Sequence, residues 1–290
     1  MFGGEEVPDY DARLKLLSGF TGSAGIAVIT LKKAILFTDG RYTLQARMQL
    51  NKSWEIHPLH SNNWIDWVTD HLSAGQNIGF DPWLVTASTF QKLSKQFKIK
   101  DIAIKLDKKN LVDQVWINRP KITQKEPVKW KDNYFAVNAK NKVNDLLAEM
   151  QLRDLDALII TQPNQVCWLL NIRGNNLKYT PFFLGFLVVE KNGDLNIFSQ
   201  CDIKYIEDDL RNHLFYKLEQ YLSKFKNKNV AINNKNCPSI IYNKLKHISA
   251  KVENSFSFLQ EKATIKHNKE IQHIRRCHIA GLLYTSPSPR

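Results

Sequence analysis

The strongest constraint on the fold is a weak internal duplication, because two copies of one supersecondary plan predict two domains of one kind. The first copy reads NIGFDP from Asn77 and has an aromatic residue at Phe90, and the second reads NVAINN from Asn229 and has Tyr242 at the same spacing. In both copies a short apolar strand leads through a polar turn into a segment whose apolar residues recur every three or four positions, as in a helix. We expect these two helices at residues 88–97 and 239–248.

A hairpin pattern precedes each copy. In the first, apolar runs at 25–30 and 34–38 are separated by Leu-Lys-Lys at 31–33, and in the second, runs at 186–189 and 195–198 flank KNGD. Asn192-Gly193 supplies the positive φ that tight hairpin turns need. Helical patterns follow the hairpins at 42–50 and at 204–210.

The second copy also starts with a helix and a strand that the first copy lacks. It begins with an amphipathic helix at 141–152 and an apolar strand at 157–161, whose counterpart in the first copy would lie at or before Met1. A sheet without that strand would leave unpaired backbone groups. We therefore expect the natural protein to begin about twenty residues earlier.

The duplication sets the expected domain limits. The first domain takes residues 1–118, a linker containing Pro120 and Pro127 takes 119–136, and the second domain takes 137–260. Strands that alternate with helices and hairpins predict α/β domains, each a mixed sheet flanked by helices. The segment 282–290 ends in Ser-Pro-Ser-Pro-Arg, which breaks a helix at once, and we interpret it as a non-native tail.

Composition excludes several kinds of protein. The net charge of +13 comes from 41 Lys+Arg against 28 Asp+Glu, but the lysines are spread along the whole chain, so we expect no nucleic-acid partner. The sequence contains no run of eighteen apolar residues, so we predict no membrane span. The N-terminus lacks the pattern of a signal peptide, which favours a cytoplasmic location. Four scattered cysteines lack metal-knuckle spacing and predict reduced thiols.

Five motifs in order resemble aminopeptidase P, an Xaa-Pro aminopeptidase of the creatinase/prolidase type. They are LSGFTGSAG at 17–25, FTDGRY at 37–42, NLVDQVW at 110–116 before Arg119-Pro120, WLLNIRG at 168–174, and the set Lys266, Glu270, Arg275, Arg276 and His278. Any one of them is weak, but together they cover the chain from about residue 6 to about residue 279. The resemblance is to the N-terminal part of the proteins of that family.

The resemblance implies a fold and an activity. The fold is two tandem creatinase-N-terminal-like (ribonuclease-H-like) domains, followed at 261–281 by the start of a truncated catalytic domain whose pita-bread fold is otherwise absent. Family members remove the N-terminal residue from Xaa-Pro peptides with two divalent metals, typically manganese, whose ligands all belong to that third domain. We therefore expect no cofactor in this chain, a proline-containing peptide as substrate through the missing domain, a homodimer, and no activity of this part alone.

Three residues are candidates for substrate or interface contacts. Asp39 ends a strand and can cap the following helix, and Arg41 can pair with a carboxylate. Arg173 follows an apolar run, where family resemblance allows a peptide-facing role and an interface salt bridge is an equal alternative. The family's carboxylates near this arginine are replaced here by Asn164, Gln165 and Asn176, which puts an inherited ion-pair network in doubt.

No catalytic or metal-binding residue is assigned to this chain. His57 and His60 lack a third ligand, His267, His273 and His278 lie on a basic helix, and no HExxH or nucleophile elbow is present. The glycine-rich run at 19–25 lacks a phosphate-binding ending and predicts a turn into the first hairpin. Two alternatives stay open: a non-catalytic binding module of the same fold, such as a histone-chaperone subunit, and a creatinase or prolidase relative.

Overall fold

The computed structural model describes residues 6–60, 63–107, 109–131, 134–201, 203, 210–254 and 257–281. The predicted helix at 204–210 and the tail at 282–290 lie outside them, apart from Leu210, which begins a strand. The chain divides into two compact units: unit 1 comprises Gly3–Thr123 together with Asn234–Asn243, and unit 2 comprises Gln124–Asn233 and Lys244–Arg290. Within the described ranges, no helix is both long and apolar enough to cross a membrane.

Unit 1 contains two small sheets and short helices. Its elements are α1 (Arg13–Ser18), β1 (Gly25–Ile29), β2 (Ala34–Thr38), α2 (Thr43–Gln49), β3 (Trp54–Pro58), α3 (Asn63–His71), β4 (Asn77–Phe80), α4 (Ala87–Ile99), β5 (Ala103–Leu106) and α5 (Leu111–Val115). Strand β1 pairs antiparallel with β2, and β2 pairs parallel with β3. A separate parallel pair joins β4 to β5. The predicted first hairpin is confirmed.

Both small sheets of unit 1 cover one apolar core. Helices α3 and α4 contribute Ile65, Val68, Leu93 and Phe97, all buried, and Ile26 and Val28 of β1 and Ile78 and Phe80 of β4 pack against the same cluster. Helix α4 begins where predicted because the Thr86 hydroxyl accepts a hydrogen bond from the Thr89 amide at 3.3 Å.

The segment Asn234–Asn243 belongs to unit 1 through backbone hydrogen bonds. The amides of Ala87 and Ser88 donate to the carbonyls of Cys237 and Asn234, at 2.8 and 2.9 Å, and the Ser239 amide donates to the Val85 carbonyl at 2.8 Å. Thr86 and Pro238 form an isolated antiparallel bridge. These two residues stand nine positions after Asn77 and Asn229, so equivalent points of the duplication meet here.

Unit 2 is built on a six-stranded mixed sheet. The described strands of unit 2, six in this sheet and two in a separate pair, are β6 (Val128–Lys129), β7 (Ala157–Ile160), β8 (Ile172–Arg173), β9 (Gly185–Glu190), β10 (Leu195–Ser199), β11 (Leu210–Leu214), β12 (Asn229–Ile232) and β13 (Lys251–Glu253). The strand order is β11-β10-β9-β7-β12-β13, and β6 pairs separately with β8. Gly193 has φ +90° in the turn between β9 and β10, as the Asn-Gly pair predicts.

Among the described residues, six α-helices occur between and after these strands. They are α6 (Ala139–Leu152), α7 (Pro163–Leu169), α8 (Leu218–Tyr221), α9 (Ser239–His247), α10 (Phe258–Thr264) and α11 (Asn268–Ala280). The first, second and fifth of them, α6, α7 and α10, pack buried residues into the core of the sheet. Every residue of β7 and β9 is buried, because apolar side chains on both faces meet helices or loops. The side chain of Asn138 caps α6 by accepting from the Asn141 amide at 2.8 Å.

Candidate functional site

Asp39 and Arg41 form a local pair at the end of β2. The Asp39 carboxylate Oδ1 accepts from the Arg41 amide and from Arg41 Nε, each at 2.9 Å. It thus caps the 3₁₀ turn Gly40–Tyr42 that precedes α2, not α2 itself. The side-chain hydrogen bond from Arg41 holds the pKa of Asp39 below its ordinary value. The Arg41 side chain is 72% exposed, so its guanidinium can reach a further anionic or carbonyl group.

The glycine-rich run before β1 is a turn, as predicted. Gly19 ends α1 with φ +79°, and Gly25 begins β1. A Cβ on Gly22 would come within 2.3 Å of the Phe20 ring, so the absence of a side chain lets the buried Phe20 fold under the turn.

Arg173 lies in β8, half-buried against an indole ring. Its guanidinium carbon stands 4.5 Å from the centre of the Trp130 ring, and Nη1 donates to the Ile172 carbonyl at 2.8 Å and to the Cys167 carbonyl at 3.4 Å. Burial lowers the pKa of Arg173 below its ordinary value, and no carboxylate of the described residues forms a salt bridge with it. A cation–π contact and carbonyl acceptors take the place of an ion pair.

A second buried cation lies beside Arg173. Lys142 of α6 is 8% exposed, and its Nζ donates to the Asn171 side-chain oxygen at 2.6 Å and to the Trp168 carbonyl at 2.7 Å. The same nitrogen stands 4.3 Å from the centre of the Trp168 ring. Burial lowers the pKa of Lys142 to about 8; Glu270 opposes this shift and the positive charge of Arg173 adds to it.

Asn171 connects Lys142 to Trp130, whose ring packs on Arg173. It has φ +50°, its side-chain nitrogen donates to the Val137 carbonyl at 3.0 Å, and its own carbonyl accepts from the Trp130 amide at 2.7 Å. We call Trp130, Lys142, Trp168, Asn171 and Arg173 the cation cluster. Its two positive charges sit in a half-desolvated setting, where an incoming carboxylate or carbonyl would interact more strongly than at an open surface.

The three carboxamides that replace family carboxylates make other bonds. Asn164 accepts from the Gln165 amide at 2.9 Å, and Asn176 accepts from the Lys125 amide at 2.7 Å. The side-chain nitrogen of Asn176 is buried without a hydrogen-bond partner. None of the hydrogen bonds of Arg173 reaches these side chains.

The structure joins Asp39 to Arg41 in unit 1, and the contacts described above for Arg173 lie in unit 2. Sequence reasoning missed Lys142 and Trp130. Lys142 precedes Val143 on the helix predicted at 141–152 and falls four residues before the buried Leu146, a spacing that places a lysine beside the apolar face. Trp130 lies in the segment interpreted as linker, yet the two-residue strand before it pairs with β8.

Two of the candidate histidines make local polar or aromatic contacts. His57 approaches the Glu55 carboxylate at 3.5 Å, and His273 packs at 4.7 Å from the Tyr134 ring. In the described segments, no group of three or more His, Cys, Asp or Glu side chains is arranged to hold a metal ion.

Comparison with known proteins identifies the family. A family model for the creatinase/prolidase N-terminal domain matches residues 118–271, and a second model of that description matches residues 10–109. Aminopeptidase P1 of Lotus japonicus is 34% identical over 211 residues, which cover 72% of this chain and 32% of the relative. A "Probable Xaa-Pro aminopeptidase P" of Pyrenophora teres f. teres is 31% identical over 297 residues, covering 95% of this chain and 45% of the relative.

A solved structure gives the same result. The X-prolyl aminopeptidase of Caenorhabditis elegans, a cytosolic enzyme with a di-nuclear active site, matches with a TM-score of 0.85 and 27% identity over 96% of this chain and 48% of that chain. The chain thus spans about half the length of that enzyme, and it spans less than half the length of each of the two sequence relatives. The predicted fold class, two creatinase-type α/β domains with mixed sheets, is confirmed. The chain belongs to the creatinase/prolidase N-terminal domain family, and it resembles the N-terminal part of aminopeptidase P.

Proposed function

We propose that this chain is the non-catalytic N-terminal portion of a metalloaminopeptidase that removes the N-terminal residue from Xaa-Pro peptides. The observation that carries the proposal is the match along 96% of the chain to an X-prolyl aminopeptidase that is about twice as long. Two divalent metal ions, typically manganese, would be held by a further domain, where they activate water for attack on the peptide carbonyl. The cytosolic location of the C. elegans enzyme supports the same location for this protein.

The surface of α11 supports the presence of a further domain. This helix has no buried residue, and Ile274 and Ile279 are 43% and 74% exposed. Ile265, just before it, is 69% exposed. Exposed apolar side chains on and just before one helix favour contact with another folded surface, and a catalytic domain that continues from this helix would supply one.

Arg41 and Arg173 are the proposed contributors to substrate or subunit contacts. Arg41 presents an exposed guanidinium, and Arg173 belongs to the cation cluster. Guanidinium groups bind carboxylates and peptide carbonyls with directed hydrogen bonds, so either can orient a peptide that the metal domain cleaves. A homodimer would let such residues act at a subunit boundary, which analytical ultracentrifugation of the complete protein can test.

The first experiment uses the chain alone. With an Xaa-Pro tripeptide and added Mn²⁺, the purified chain should release no N-terminal amino acid, since the metal ligands are assigned elsewhere. Metal-dependent turnover by this chain would overturn the proposal.

The second experiment uses the complete protein read from the source gene. It should cleave the same tripeptide and lose activity on chelation of its metal. Arg41→Lys and Arg173→Lys should each lower kcat/KM about tenfold through lost guanidinium hydrogen bonds, whereas Arg47→Lys, a change at another exposed arginine of the same segment, should not. A complete protein without peptidase activity that instead retains histones in a pull-down would favour the binding module, although a net charge of +13 opposes basic partners.

A further inference from the structure

Strand β5 is an edge strand of unit 1. Among the described strands it pairs with β4 alone. The Ala103 and Asp107 amides donate to carbonyls at or next to the ends of β4, at 3.0 and 3.2 Å. Because the backbone groups of successive residues point to opposite sides of a strand, the amides and carbonyls of Ile104 and Leu106 point away from β4. The outer edge of β5 therefore offers the backbone groups of both residues to a further strand.

A groove lies between this edge and the C-terminal half of α4. It has a volume of about 310 Å³, and its lining includes Ser94, Phe97, Lys98, Ile102 and Ile104. Phe97 and Ile102 are buried and belong to the apolar core of unit 1, and Ile104 packs against that core. A strand added to β5 would place every second side chain in this groove, because side chains alternate between the two faces of a sheet.

The opposite face of β5 is basic. Lys105 follows Ile104 and therefore points to the face away from α4, where it is exposed. It is the one charged residue of the strand Ala103–Leu106. Asp101, which also lines the groove, and Asp107 lie outside the strand, before its start and after its end. An added strand would thus meet an apolar groove on one face and a positive charge on the other.

The segment that forms the groove is positive as a whole. Five lysines and two aspartates occur between residues 92 and 107. Lys100 pairs with Asp70 at 3.3 Å, whereas no carboxylate of the described residues forms a salt bridge with Lys98 or Lys105. These two lysines can therefore pair with carboxylates of a partner.

Charge and pattern together select the kind of partner. A second copy of this chain would bring Lys98 and Lys105 against the same lysines, and edge lysines commonly prevent self-association in this way. Nucleic acid would pair with the lysines, but it would leave the strand edge and the apolar groove without partners. An extended peptide in which acidic and apolar residues alternate matches the edge, the groove and the charge.

We propose that β5 and its groove are a docking site for an extended acidic segment of another protein, in which acidic and apolar residues alternate. The segment adds to β5 as a third strand of the sheet that β4 and β5 form. Its apolar side chains enter the groove beside Ile104, and its carboxylates face Lys105 and the rim at Lys98. Backbone hydrogen bonds supply the affinity, and the alternating side chains select the sequence. This site goes beyond the proposed function and does not depend on it.

The test measures binding of a fluorescein-labelled peptide of about nine residues, alternating glutamate and valine, to the complete 290-residue chain. Fluorescence anisotropy should give a Kd of about 10–100 µM in about 50 mM salt. Binding should weaken at least about threefold in about 300 mM salt, because salt screens exposed charges. A peptide with lysine in place of glutamate, and a peptide of the same composition without alternation, should each bind at least about tenfold more weakly.

Charge reversal tests the role of the two lysines. Lys98→Glu and Lys105→Glu should each weaken binding at least about fivefold, because a carboxylate then faces the carboxylates of the peptide. Lys52→Glu makes the same change of net charge at an exposed lysine of unit 1 outside the groove, and it should stay within about twofold of wild type.

Backbone pairing is tested separately. In the wild-type chain the peptide should slow hydrogen exchange at least about tenfold at the Ile104 and Leu106 amides, with little change at Ala103, whose amide already donates toward β4. Leu106→Pro should abolish binding, since it removes an outward amide and leaves the bonds to β4 in place. The exchange measurement needs no substitution, so the test stands even if the proline variant folds poorly.

Four outcomes would overturn the proposal. The first is no binding at about 1 mM peptide. The second is equal binding of the peptide without alternation, which would reduce the site to non-specific charge. The third is tighter binding of a single-stranded DNA oligonucleotide that both lysine variants abolish, which would assign the lysines to phosphates. The fourth is protection of the Ile104 and Leu106 amides without peptide in a chain that sediments as a dimer, which would assign the edge to a second copy. None of these measurements uses peptidase activity, so their result is independent of the proposed function.

Discussion

At the residue scale, one ionic network joins the two ends of the first domain's chain. The Arg13 guanidinium donates to both oxygens of Asp113, at 2.7 and 2.9 Å, and Arg119 donates to Asp113 Oδ2 at 2.8 Å. Arg13 also donates to Asp11 at 2.9 Å. The side chains of Arg13 and Asp11 are 12% and 9% exposed, so the charges are largely removed from water. Bidentate, partly buried pairs of this kind stabilise far more than surface pairs.

Asp113→Asn should lower the free energy of unfolding by about 2 kcal/mol at pH 7, because both arginines lose a charged acceptor. Burial raises the pKa of Asp113, but hydrogen bonds and charge from Arg13 and Arg119 outweigh it, so the folded pKa lies below the ordinary value. The contribution of the Asp113 carboxylate to the free energy of unfolding is therefore complete above the unfolded pKa of about 4, and it is lost as the pH falls through the lower folded pKa. Urea titrations at pH 7 and stepwise down to about pH 3 would measure the difference from wild type.

The matched control is Asp70→Asn, which removes an exposed pair with Lys100 at 3.3 Å. It should change stability by less than about 0.5 kcal/mol. An equal effect of the two substitutions, or a difference from wild type that does not shrink in acid, would show that the network contributes little.

Sequence patterns predicted single residues well where local rules decide. Gly193 takes positive φ, as expected from an Asn-Gly turn, and Asp39 is a cap at the expected strand end, although it caps a 3₁₀ turn and not helix α2. The surroundings of Arg173 could not be foreseen, because Trp130 and Lys142 reach it from elements distant in sequence. Long-range contacts of this kind leave no periodic signal in the chain.

At the element scale, the loop after β8 depends on a glycine for close packing. A Cβ on Gly174 would come within 2.4 Å of the Phe182 carbonyl oxygen and 2.6 Å of the Phe183 Cα. The Gly174 amide donates to the Pro181 carbonyl at 3.0 Å, which fixes the two segments against each other. The neighbouring backbone cannot move aside as a flexible side chain could.

Gly174→Ala should therefore lower the free energy of unfolding by about 1–3 kcal/mol through overpacking. Gly40→Ala is the control, since a Cβ there meets nothing within 4 Å, and it should stay within about 0.5 kcal/mol of wild type. Guanidinium denaturation of both variants would test this. A wild-type midpoint for Gly174→Ala would mean that the loop shifts freely.

Helices and hairpins were predictable as elements because their patterns are long. The helices expected at 88–97, 141–152 and 239–248 are α4, α6 and α9, each within two residues at both ends. Strands β6 and β8 have two residues each, too few for any alternation to appear. The segment around β6 therefore reads as linker, although it pairs with β8.

At the scale of the whole molecule, the two units differ in how completely their sheets are covered. Every residue of β7, β9 and β10 is buried, whereas Asn77 and Gly79 of β4 and most of β5 are exposed. Small sheets with open edges are only marginally stable. The duplication predicts two domains of one plan, but it does not predict that their burial differs.

Unit 2 should therefore be the more stable unit. We expect partner-bonded amides of β7, β9 and β12 to exchange at least about a hundredfold more slowly than those of β4 and β5, because opening of unit 1 costs less free energy. Hydrogen exchange followed by mass spectrometry over seconds to days would show the difference. Equal protection in both sets of strands would mean that the chain unfolds as a single cooperative body.

The hydrogen bonds of Asn234–Asn243 with residues 85–88 bear on how this protein can be dissected. Subcloning the N-terminal half at the limit of its family match would remove the donors and acceptors that satisfy Val85, Ala87 and Ser88. The shortened product would leave these backbone groups without hydrogen-bond partners and would be prone to aggregate on expression. A cleaner excision keeps residues 234–243 attached, for example by grafting them after residue 123 with a short spacer.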